Sequence, residues 1–180
     1  MIRSAVSILI ATSLLLAAPP EARADASVTR SPATAPTLGT TIRGTSATTF
    51  SISTTGVVTR TSGNAIRLSS GSVTTPTLSI NCGLLNLSGL CAIRYIRVTI
   101  TPVTASGSAS ISRLRVGSLS GATYRTGSPP ADAASLTFDL NPIGLLSTAT
   151  LRLGMDVVLA ANAASGAYSF DYIVTVQLVT

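Results

Sequence analysis

The side chains able to do chemistry are few, and their types exclude more than they permit. The 180-residue chain has no His and no Lys, two Cys, and six acidic residues. Without His, a Ser-His-Asp or Cys-His arrangement cannot be assembled. Without Lys, a phosphate-cradling GxxxxGK[ST] loop cannot be written. The nearest approach to a nucleophile elbow, GSLSG at Gly117 to Gly121, puts Leu119 where the nucleophile would stand. Beyond Glu21 the acids are Asp25, Asp132, Asp139, Asp156 and Asp171. The last three fall on the polar phase of alternating segments, where an isolated, solvated carboxylate is expected rather than an acid/base couple. Each should be individually dispensable for activity. Calcium needs several oxygen ligands together, and no stretch is dense in acids. These residues predict a protein that is not an enzyme and has no cofactor, metal site or catalytic residue.

The cysteines stand in NCGLLNLSGLC, at Cys82 and Cys91. In an exported, oxidising compartment two cysteines most often bond to each other. The spacing is not CxxC, and no His offers a further metal ligand. Leu78, Ile80 and Cys82 alternate into this segment and Ile93 and Tyr95 lead out of it. The expectation is a disulfide closing the mouth of a β-hairpin, worth roughly 2 kcal/mol for so short a loop. Asn86-Leu87-Ser88 matches a glycosylation acceptor, a three-residue pattern of little specificity.

The N-terminus names the compartment. Residues 1–24 read as a secretory signal peptide: Arg3, an apolar run from Ala5 to Ala18, Pro19-Pro20, and small residues around Ala22-Arg23-Ala24. The run is shorter than the ~20 residues that span a bilayer, and no Cys follows it for lipid attachment. No transmembrane segment is expected after cleavage, and the predicted address is periplasmic, outer-surface or extracellular. Cleavage removes Arg3, Arg23 and Glu21, leaving ten Arg against five Asp. The arginines are scattered and export separates the protein from cellular DNA, which argues against nucleic acid as a partner. An anionic cell-surface component such as lipopolysaccharide suits the charge better, and solubility alone explains it equally well.

The elements that must position these residues are strands. Phe50 and Ile52, Ile66 and Leu68, Leu78 and Ile80, and Leu136, Phe138 and Leu140 alternate with polar residues. Val57-Val58, the run from Ile93 to Thr101 and that from Ile111 to Val116 add further strand signals. In TATLRLGMDVVLA, one face carries Ala149, Leu151, Leu153, Met155, Val157 and Leu159, the other Thr148, Thr150, Arg152 and Asp156. At the C-terminus Tyr168, Phe170, Tyr172, Val174, Val176 and Leu178 share one phase, so the aromatics read as core rather than as a sugar-stacking platform. Turn-forming clusters recur about every 8 to 15 residues. The pattern predicts an all-β fold, an antiparallel Ig-like or pilin-like β-sandwich spanning residues 38–180. Residues 25–37, with Pro32 and Pro36 and Val28 as the one sizeable apolar residue, read as a flexible lead-in. The last strand is expected to pair antiparallel with Ala149 to Leu159 through the loop 160–166.

The stretch from Leu38 to Gly56, LGTTIRGTSATTFSISTTG, resembles the N-terminal signature of the domain of unknown function family 4402, and Ala149 to Leu178 is similar to that family's final hairpin, with its Gly-x-Tyr and Val-Thr-Val. The resemblance implies an exported, β-rich bacterial protein and no assigned activity. Two departures stand out: Leu38 replaces the aromatic before Gly39, and the alternating strand that often precedes this point is reduced to the Pro-containing lead-in.

Two functions are compatible with these readings. The first is a non-enzymatic structural or adhesive surface protein, pilin-like, acting through sheet edges and loops by protein contact or self-association. The alternative is a monomeric periplasmic or secreted ligand-binding module. Because DASVTRSPATAP lacks alternating apolar residues, polymerisation through an N-terminal donor strand is disfavoured.

Overall fold

A computed structural model describes residues 26–82, 90–103, 107–144 and 146–180. In chain order the elements are β1 (Ser27–Ser31), β2 (Thr37–Ile42), β3 (Thr48–Ile52), β4 (Val58–Ser62), β5 (Ile66–Arg67), β6 (Thr77–Asn81), α1 (Leu90–Ile93), β7 (Tyr95–Pro102), β8 (Ala109–Ser120), β9 (Leu136–Leu140), β10 (Thr148–Leu159), β11 (Gly166–Ser169) and β12 (Tyr172–Val179). Every strand pairing is antiparallel. Apart from the four-residue α1, the regular structure of the described residues is all strand, in agreement with the period-two patterning.

Strand β10 organises the largest sheet. Its first half, Thr148 to Arg152, pairs with β6, its second half, Met155 to Leu159, with β3, and its opposite edge with β8. Beyond β6 lies β1, and beyond β3 lies β4. The residues forecast for the inner face of β10, Ala149 through Leu159 in alternation, are all buried. The β3–β4 connection shows why the sheet turns where it does. The Ser53 hydroxyl accepts hydrogen bonds from the amides of Thr55 and Val57 at 3.3 and 3.0 Å. Gly56 takes a φ of +87°, and a Cβ there would lie 2.0 Å from the Val73 carbonyl oxygen. Only glycine meets both conditions.

Two three-stranded sheets complete the structure, ordered β11-β2-β5 and β12-β7-β9. Leu38 of β2, Ile80 of β6, Val98 of β7, Leu140 of β9 and Leu153 of β10 are each fully buried and belong to one hydrophobic cluster. All three sheets therefore bury apolar side chains in the same core.

Four expectations need correction. The segment read as a flexible lead-in over 25–37 contains β1 and the first residue of β2, and β1 pairs along its whole length with β6, from Ser27↔Asn81 to Ser31↔Thr77. Backbone ladder bonds hold an edge strand without an apolar face, which composition alone does not register. Second, the C-terminal strand pairs not with β10 but with β7, Tyr172↔Pro102 through Val179↔Tyr95. Both edges of β10 are already occupied, and the chain after it makes β11 against β2 before reaching β12. Third, the disulfide does not close a hairpin: Cys82 follows β6 of the six-stranded sheet, whereas Cys91 lies in α1, just before β7 of another sheet. Fourth, the run read as a strand from Ile93 starts later: Ile93 ends α1 and is 72% exposed, and β7 begins at Tyr95, with Ile96, Val98 and Ile100 buried. Ile66 and Leu68 are exposed as well.

Candidate functional site

The cysteines are bonded, with Cα atoms 6.0 Å apart and both side chains buried. The glycosylation pattern at Asn86 and the segment 1–24 lie outside the described residues.

The three carboxylates expected to stand alone and solvated are each held by arginine, and the side chains of Asp139 and Asp156 are 15% and 14% exposed, against 54% for Asp171. Asp139 of β9 receives hydrogen bonds from Arg97 Nε and Nη2 of β7 at 2.8 and 3.0 Å, and one from Arg125 at 3.4 Å. Asp156 of β10 receives one from Arg115 Nη2 of β8 at 2.6 Å, and Asp132 receives one from Arg115 Nε at 3.0 Å. Asp171 is held by Arg30 Nη1 at 2.8 Å. The pairs Arg97–Asp139 and Arg115–Asp156 run across neighbouring strands, where opposite charges attract. Asp132 and Asp156 share Arg115, and no group of three or more His, Cys, Asp or Glu stands together among the described residues.

What the fold leaves available is backbone. Strand β12 pairs with β7 through eight consecutive residues without a register shift, and no other described strand pairs with its far side. In an edge strand alternate residues turn N–H and C=O outward, a template for another strand. Natural edges are blunted by charge, proline, bulges or brevity, and several other edges here obey that rule. Strand β1 carries Arg30, β4 carries the exposed Arg60, and β5 has only two residues, one of them Arg67. Strand β8 carries Arg113 and Arg115 and shifts register twice against β10. Strand β12 reads YIVTVQLV, with no charge and no proline. Its inner-phase residues Val174, Val176 and Leu178 are half-buried, and Ile173 is 58% exposed.

Beside the start of β12 lies a groove of about 350 Å³, lined by Val28, Arg30 and Leu78 on one side and Asp171 to Val174 on the other. It separates β1, an edge of the six-stranded sheet, from β12, an edge of another. Arg30 closes its end: it pairs with Asp171, donates to the Tyr172 carbonyl at 3.2 Å, and sits 5.0 Å over the Tyr172 ring. The hydrogen bond from Arg30 lowers the pKa of Asp171, keeping the clamp charged. The buried Tyr172 phenol is pushed up to about 12, chiefly by its burial, and stays neutral. This site is half legible in the sequence: the apolar phase of the tail is visible there, but Arg30 sits in the stretch whose composition suggests a flexible lead-in. The signal that could have found it is the absence of any charge from Tyr172 to Val179.

No family model, no curated protein and no solved structure matches this chain.

Proposed function

We propose that the protein is an exported, non-enzymatic structural or adhesive surface protein, a pilin-like antiparallel β-sandwich that associates with further copies of itself by strand addition at β12. One observation carries this reading: beyond its first residue, Tyr172, whose carbonyl accepts from Arg30, β12 is a long, uncharged, unbulged edge in a molecule where β1, β4, β5 and β8 are guarded. An extended partner strand gains ladder hydrogen bonds along β12, and the groove toward β1 offers Val28 and Val174 to its side chains. The disulfide supports export, because such bonds persist in oxidising compartments. The signal-like residues 1–24 and the resemblance to family 4402 point the same way.

Sedimentation of the mature chain, residues 25–180, at rising concentration tests the reading. Species larger than the monomer are expected, and Ile173→Lys should abolish them while changing stability by no more than about 0.5 kcal/mol, because Ile173 is exposed. A wild-type chain that stays monomeric throughout would refute assembly through this edge. The second reading, a monomeric periplasmic or secreted ligand-binding module, would then lead, and a hollow beside Arg60 favours it.

A further inference from the structure

The ten arginines of the described residues face four described carboxylates, and these hold Arg30, Arg97, Arg113, Arg115 and Arg125. Arg43, Arg60, Arg67, Arg94 and Arg152 have no carboxylate partner among the described residues. Two of them, Arg60 and Arg67, line the same hollow. It lies between β4 and β5, two edges of different sheets, with a volume of about 580 Å³, within the range of small-molecule sites. Phe50 and Ala65, both buried, contribute to its lining, as do Val57 and Ile66, 54% and 53% exposed, and Ser69 to Ser72. No acidic residue lines it among the described residues.

The guanidiniums are fixed by backbone rather than by charge. Arg60 Nη1 donates to the Ala65 carbonyl at 3.0 Å. Arg67 donates through Nε to the Leu38 carbonyl at 2.7 Å and through Nη1 to the Gly71 carbonyl at 2.9 Å. These bonds orient both groups and leave other N–H donors of each fork without a partner among the described residues, since a guanidinium has five. A second hollow of about 570 Å³ adjoins the first and shares Arg67, Ser69, Ser70 and Ser72 with it; Thr34, Thr37 and Thr74 add hydroxyl-bearing residues to its wall. A chamber with Phe50, Val57, Val58 and Ile66 in its wall and a hydroxyl-rich one thus meet at an oriented cation.

We propose that this pair of hollows binds an anionic lipid, a phosphate-headed acyl chain whose tail lies over Phe50, Val57 and Ile66 and whose phosphate is held by Arg60 and Arg67. Each half of the ligand answers a different feature. The exposed Val57 and Ile66 gain burial from a hydrocarbon tail, and the guanidinium fork matches phosphate oxygens in bidentate geometry. The serines and threonines of the adjoining chamber suit further hydroxyls on a larger head group. Nothing in this site depends on the β12 edge, so a monomer and an assembled subunit present it alike.

Calorimetric titration of the mature protein with dodecyl phosphate below its micelle concentration tests the assignment, with inorganic phosphate and neutral dodecyl maltoside as separate arms. Saturable binding of dodecyl phosphate is expected, with both controls weaker by about tenfold or more. Arg60→Gln and Ile66→Asn should each weaken it by about fivefold to fiftyfold, with melting temperatures near that of the parent, whereas Arg152→Gln on β10 should leave affinity unchanged. Arg67→Gln removes two backbone bonds, so Arg60 and Ile66 are the positions that decide. Equal binding of dodecyl maltoside would reduce the site to apolar adhesion, and equal binding of inorganic phosphate to a bare anion site; either overturns the proposal. So does undiminished dodecyl phosphate binding in Arg60→Gln and Ile66→Asn.

Discussion

Asp139 and Tyr172 show how differently two polar groups are accommodated. The side chain of Asp139 is 15% exposed and lies in the fork of Arg97, with Arg125 beside it and stacked on Tyr95, 3.8 Å from its ring centroid. The hydrogen bond from Arg97, above all, holds the Asp139 carboxyl below its ordinary value of 3.8. A group whose pKa falls on folding contributes stability above its unfolded value and loses it as pH drops through the folded value. Asp139→Asn should therefore lower the melting temperature at neutral pH, and the gap should close as the pH is taken below 3.8; thermal melts across that range check it. Tyr172 is the opposite case. Its hydroxyl is buried with no hydrogen-bond partner among the described residues, and burial raises its pKa from 10.0 to about 12. Folding loses stability as pH rises from 10.0 toward about 12, because the unfolded chain can release the phenol proton there and the buried site disfavours the phenolate. Tyr172→Phe should preserve or raise the melting temperature, since it removes an unsatisfied hydroxyl and keeps the ring. A marked fall would mean that the hydroxyl has a partner.

Among the elements, β8, β10 and β3 are joined by one side chain. Arg115 of β8 reaches Asp156 of β10, then Ser51 of β3 at 2.8 Å, and also holds Asp132. Its stem passes over Gly154, its cross-strand partner, where a Cβ would come within 2.9 Å of Arg115 Cγ and 2.8 Å of the Ile52 carbonyl oxygen. A glycine inside a strand commonly marks such an approach. Arg115→Met should destabilise by about 2 kcal/mol by leaving Asp156, 14% exposed, without its principal partner; denaturant unfolding measures it. Strand β12 gives a second test at this scale. Thr175 lies opposite Thr99 of β7. Thr175→Cys combined with Thr99→Cys should crosslink on oxidation, whereas Thr175→Cys with Thr150→Cys, on the strand that a terminal hairpin would have placed beside β12, should not.

Across the whole molecule, the Cys82–Cys91 bond couples the sheet built on β10 to the sheet built on β7. Its closed loop is short, with a sequence separation of nine, so the chain-entropy contribution is about 2–3 kcal/mol. The Cys82→Ala, Cys91→Ala double variant should melt lower than the parent and still fold, because the shared core remains. Loss of folding would mean that the two sheets do not hold together on side-chain packing.

The sequence by itself determined the period, the phase and the disulfide partners. Alternation is a local property, so the buried faces of β3, β6, β9, β10 and β12 are legible residue by residue, and two cysteines allow one intramolecular pairing. Only the tertiary structure decided which edge meets which. Apolar alternation specifies a face but carries no address, so β12 reads as the partner of its neighbour in sequence, although β3, β6 and β8 occupy β10. The same reason hides β1, which is held mainly by ladder bonds with Val28 as its one apolar contact to the core, and the hollow at Arg60 and Arg67, which exists because the edges of two sheets come together. A strand's inward face is written in its own residues; its neighbours are chosen by the competition among all the edges of the chain.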